Sequence, residues 1–122
     1  MDRQTQVSVE DGIVRVTVRG EVRLATGGAA IAQASRVAHD AGSNLLLFDI
    51  TQAQSREYHA VAMHHARDAH RTGIVKFRIA ILGKAGDAKL SFLENVAHNR
   101  GIRARSFTAE REALRWLKAS SP

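Results

Sequence analysis

Apolar and polar positions alternate along the first part of the chain. Val7 and Val9 stand between polar residues, and Asp11-Gly12 interrupts the pattern. Glycine takes the positive φ that a tight hairpin turn needs. Beyond the turn, Val14, Val16 and Val18 share one face, and Ile13, Arg15, Thr17 and Arg19 share the other. A period of two with unlike faces predicts an antiparallel hairpin, packed on one side and wetter on the other.

The period then lengthens. Over 26–41, Ala30, Ile31, Ala34, Val37, Ala38 and Ala41 fall on one helical stripe, opposite Gln33, Arg36, His39 and Asp40. Thr26 is placed to cap this helix and Gly42 to stop it. The stripe is mostly alanine, so the helix is expected to lie close against its support. "NLLLFDI", residues 44–50, is a continuous apolar run, as in a central strand covered on both faces. A second helix is predicted over about 57–72. "VKFRIAILG" reads as the next strand, ended by Gly83. "DAKLSFLENVAHNRG" reads as a third helix, with Asp87 capping it, Gly101 closing it and Leu90, Leu93, Val96 and Ala97 on its buried stripe. "IRARSF" is a last short strand. Thr108 then caps a final helix in which Ala109, Ala113, Trp116 and Leu117 point one way.

The order β-β-α-β-α-β-α-β-α implies parallel pairing through right-handed crossovers, with an antiparallel hairpin leading. The expected fold is a single α/β domain over residues 1–122, with a mixed five-stranded sheet. Its 122 residues suit one core.

Composition narrows the class. Apolar residues make up 44% and charged residues 25%, the balance of a soluble globular protein. No apolar run approaches the roughly 18 residues of a membrane span. "MDRQTQ" carries no signal-like apolar segment, so a cytoplasmic location is expected. The absence of cysteine excludes disulfides, thiolate nucleophiles and zinc sites built on cysteine. A net charge of +6 favours encounter with anions. The positive charges are scattered, however, and aromatics are only 5%, which argues against a nucleic-acid platform.

The pattern resembles the STAS domains and their SpoIIAA-like relatives. The likeness runs over nearly the whole chain and is sharpest in "LLLFDIT" and in the closing "FLENVAHNRGIRARSFTAEREALRWL". It implies a SpoIIAA-like α/β domain that works as a regulatory or adaptor module. In the anti-sigma factor antagonists of this group, a serine or threonine after the central strand opens the next helix and is phosphorylated. Ser55 is the nearest match here, in the stretch Gln54-Ser55-Arg56-Glu57. The group's Asp-Ser-Ser/Thr-Gly pattern is absent from it.

Read on its own chemistry, Ser55 suits an N-cap, its oxygen accepting an orphan backbone N–H. A phosphate there would meet the helix dipole and Arg56. Asp49 and Thr51 leave the C-terminal end of the central strand, where open α/β sheets place ligands. The same acid can simply accept hydrogen bonds from a turn. Acid–base work would need a second carboxylate beside it, and Glu57 and Asp87 are the candidates. Tyr58 and His59 open the second helix next to Ser55. His59, His64, His65 and His70 lack the spacing that brings ligands to one metal, so no metal site is expected. His65 shares a stripe with Tyr58, Val61, Ala62 and Ala69, which reads as a hydrogen-bonded core histidine. "GKAGDAK", residues 83–89, follows a strand and opens a helix, a context that suits an anion, with Lys84 adding charge. It lacks the Walker spacing. Gly27-Gly28 is a weaker case of the same context. Arg15, Arg19, Arg103 and Arg105 alternate on two strands as a basic flank, or as charges that keep sheet edges unpaired.

No nucleophile–base–orienter set is visible, so the protein is not expected to be an enzyme, and no cofactor is expected. The reading is a non-catalytic module that binds a protein partner or small ligand near the start of the second helix, through Asp49, Thr51, Ser55, Tyr58, His59, Lys84 and Asp87. Ser55 is the candidate for phosphorylation, and a homodimer is left open. The alternative is a carrier of lipid or another apolar small molecule, with a cavity between the second and third helices and the sheet.

Overall fold

The hairpin forms as the alternation demands. A computed structural model describes residues 5–21, 24–54 and 76–119, without the side chains of 21–30, Gln54 and Lys89. In it β1 (Thr5–Glu10) and β2 (Ile13–Glu21) pair antiparallel, with Val7 opposite Val16 and Val9 opposite Val14. Asp11 and Gly12 turn the chain with φ of 53° and 74°, the left-handed pair a tight hairpin needs.

Helix α1 (Leu24–Ala41) follows and stops at Gly42, with φ 65°. Next come β3 (Leu45–Gln54) and β4 (Arg78–Leu82). Helix α2 (Lys89–Asn99), β5 (Arg103–Phe107) and α3 (Glu110–Lys118) complete the described elements. The helix predicted over 57–72 lies outside the described residues. The sheet order is β1-β2-β3-β4-β5, and every pair after the hairpin is parallel.

The sheet is packed on both faces. On one face, Val14 and Val16 of β2, Leu46 and Ile50 of β3, and Ile79 and Ile81 of β4 meet Ala34 and Ala38 of α1 and Leu90 and Ala97 of α2. On the other, Ile13, Leu47, Ala80 and Leu82 meet Ala113 and Leu117 of α3. The apolar run in β3 thus serves both cores, which is why it does not alternate. Ala34 and Ala38 are fully buried, and the small side chains let α1 approach the sheet closely.

Helix starts differ from the sequence expectation. Helix α1 begins at Leu24, so Thr26 and Gly27-Gly28 lie inside it rather than ahead of it. The position before α2 is Ala88 and the one before α3 is Ala109, and neither end has a side-chain cap bond there. Thr108 stands one residue too early for the predicted role, whereas Asp87 lies at the start of α2, its carbonyl accepting the Leu90 N–H. Packing of Leu90 and Ala113 against the sheet sets where these helices begin, and capping preference of about 1 kcal/mol yields to it. Helix α2 ends as expected: Gly101 has φ 74°, its N–H donates to the His98 carbonyl, and the Ile102 N–H donates to Ala97.

Candidate functional site

The predicted site begins at an irregularity in the ladder between β2 and β3. Thr17 pairs with Asp49, but Arg19 pairs with Gln52, so β3 carries one extra residue between them. An extra residue of this kind removes a backbone group from the ladder. Asp49 answers locally: its Oδ1 accepts the Thr51 N–H at 3.1 Å and the Thr51 hydroxyl at 2.7 Å. Its Oδ2 accepts Arg15 Nη2 at 2.9 Å. Arg15 comes from β2, where it faces Leu47, two residues before Asp49 and on the same face. The same Nη2 lies 2.6 Å from Glu110 Oε1 at the start of α3.

Asp49 is only 8% exposed. Burial works against its charged form, but the Thr51 hydroxyl, the Thr51 N–H and Arg15 together outweigh it and hold the carboxyl below its ordinary value. Burial likewise works against the Arg15 cation, and Glu110 and Asp49 outweigh it, raising its pKa. The result is a charge clamp joining β2, β3 and α3.

A general-acid role would need a carboxyl held near neutrality. Asp49 is shifted the other way, and the carboxylate joined to it through Arg15 is that of Glu110; Glu57, one of the two acids expected beside it, lies outside the described residues.

No protein-family model and no curated protein matches the chain. Solved structures do. An uncharacterised DUF3478-family protein with a SpoIIAA-like fold, from Shewanella loihica PV-4, aligns with 93% of this chain and 91% of its own, at TM-score 0.62 and 18% identity. The anti-sigma factor antagonist SpoIIAA in its unphosphorylated form aligns with 97% of this chain and 99% of its own, at TM-score 0.59 and 12% identity. The fold is SpoIIAA-like.

Within the SpoIIAA-like sheet, Asp49 and Thr51 are hydrogen-bonded to each other, and Asp49 pairs across to Leu82 at the end of β4. The loop 83–88 therefore starts beside them. Lys84 in that loop is exposed and Asp87 is half-buried, its carbonyl accepting the Leu90 N–H at 3.1 Å. This loop leads into α2 on one face, whereas the Asp49 carboxylate lies on the face that α3 covers. Gly83 is there for packing: a Cβ at this position would sit 2.5 Å from Leu90 Cδ2. Ser55, Tyr58 and His59 lie outside the described residues, as do His64, His65 and His70.

Arg15 and Glu110 are the partners that sequence reasoning missed. The signal for Arg15 was present in β2, a cation alternating with buried valines one strand away from a strand-end acid. Only the register between β2 and β3 turns it into a contact.

Proposed function

We propose that the protein is a non-catalytic regulatory or adaptor module of the STAS/SpoIIAA-like kind. It binds a protein partner or small ligand near the start of the helix predicted after β3, through Asp49, Thr51, Ser55, Tyr58, His59, Lys84 and Asp87. One observation supports this reading: the acid best placed for chemistry, Asp49, has both oxygens committed to Thr51 and Arg15 at the irregularity inside β3. The likeness in fold to an anti-sigma factor antagonist, SpoIIAA, supports a regulatory role. Ser55, one residue beyond β3, is where a phosphate would change the charge at the start of that helix.

The test is to incubate the purified protein with lysate of its own source and ATP, then map phosphate by mass spectrometry. Modification at Ser55, with altered partner capture by Ser55→Asp, is the expected outcome. An unmodified Ser55 and unaltered capture would reject the switch. Lipid co-purifying in stoichiometric amount would replace this reading with the carrier alternative.

A further inference from the structure

The sequence "RARSF" that forms β5 puts Arg103, Arg105 and Phe107 on one face and Ala104 and Ser106 on the other. β5 ends the sheet order, so no strand lies beyond it among the described residues. The Phe107 carbonyl accepts the Gly83 N–H at 3.0 Å and therefore faces β4. By the two-residue period, the backbone groups of Arg103 and Arg105 face β4 as well, and those of Ala104 and Ser106 face outward. His98 agrees with this assignment. Its Nε2 reaches from α2 to lie 2.7 Å from the Ala104 carbonyl, which can only accept.

A groove of about 650 Å³ runs along this outer edge. Glu94 and His98 of α2 line one side, and Arg103, Arg105, Arg78 and Trp116 line the other. It therefore reaches from one helical layer to the other, across the full thickness of the sheet. Its α3 side is cationic. Arg78 pairs with Arg103 across β4 and β5, and Arg105 follows two residues on. The Arg78 guanidinium lies 4.3 Å over the Trp116 ring, and Arg105 lies 5.6 Å over Phe107. Stacking holds a guanidinium by its face and leaves its rim to bind carboxylates. Arg78 Nε is buried without a hydrogen-bond partner. Glu94 does not offset this charge on the same face, because it accepts the Ser106 hydroxyl on the α2 side.

We propose that the outer edge of β5 receives an extended acidic peptide segment as a sixth strand. Because His98 already holds the Ala104 carbonyl, the main-chain bonds centre on the N–H and C=O of Ser106, with the Ala104 N–H beside them. Carboxylates at alternate positions of the added strand meet Arg105 and Arg103. An exposed edge recognises a strand through its backbone and selects it through alternate side chains. A second copy of β5 is the wrong occupant, since antiparallel pairing would bring arginines against arginines. This edge is separate from the sheet end of β3, so the proposal stands or falls independently of the regulatory reading.

The test uses the ¹⁵N-labelled full chain and a capped peptide, Thr-Glu-Thr-Glu-Thr-Glu-Thr. Controls are the same peptide with Lys for Glu, two versions N-methylated on one or the other alternate set of residues, and inorganic phosphate. The expected result is a shift of the Ala104 and Ser106 amide signals and slower hydrogen exchange at Ser106. One N-methylated set abolishes binding and the other is tolerated. The double variant Arg103→Glu, Arg105→Glu loses at least tenfold in affinity for the Glu peptide and gains affinity for the Lys peptide, which also shows that the variant is folded. Equal tolerance of both N-methylated peptides, or phosphate reproducing the same shifts, would overturn strand addition in favour of a small-anion patch. Protection of the β5 amides by self-association, or no binding of the Glu peptide, would overturn the proposal outright.

Discussion

The Asp49 carboxylate accepts from Thr51 twice and from Arg15 once, in a site nearly closed to water. Asn has the same shape but offers one acceptor oxygen where Asp49 uses two. Asp49→Asn should therefore cost about 1.5–3 kcal/mol at neutral pH, the range for hydrogen bonds to a charged group. The pH dependence follows from the lowered pKa. The folded carboxyl gives up its proton more readily than the unfolded one, whose pKa is about 3.9. Its contribution is thus complete above that value and is lost as pH falls through the folded pKa. Urea melts of wild type and Asp49→Asn at pH 7 and near pH 3 should show the gap between them narrowing in acid. A gap that stays constant would mean that the charge contributes nothing. Asp49 was legible in the sequence as a candidate, and so was the choice between catalysis and a turn. Its link to Arg15, and through Arg15 to Glu110, was not, because strand register and helix placement make it, which no local spacing encodes.

At the scale of elements, the alternation in β2 and the alanine stripe of α1 were legible because each pattern is the direct imprint of a buried face. Ala38 is fully buried against the sheet, whereas Ala41, one turn on, is exposed. Ala38→Leu should destabilise by about 1–3 kcal/mol by forcing α1 outward, since overpacking costs that much. Ala41→Leu should change thermal stability little. If both variants melt alike, α1 does not sit on its alanines. Helix starts were the least legible feature. Thr26 and Thr108 have capping chemistry, yet the structure places Leu24 within α1 and Ala109 at the cap position of α3. A side-chain cap is a small local preference, and the tertiary fit of a helix outweighs it. Helix ends at Gly42 and Gly101 were readable because each needs positive φ, which few other residues adopt at low cost.

For the molecule as a whole, each described strand hydrogen-bonds only to its neighbours in chain order. A polypeptide leaving the ribosome with this arrangement never has to open a finished pair to insert a later strand. Among the described strands β5 is the last in chain order and lies at one rim of the sheet. Ribosome-stalled chains of increasing length should gain protease resistance in steps as β3, β4 and β5 emerge. Resistance that arrived only with the full chain would argue for a concerted collapse instead. The strand whose outer rim takes the acidic segment in our proposal is thus the last of the described strands to emerge, so that docking surface exists only once the four strands before it have been made.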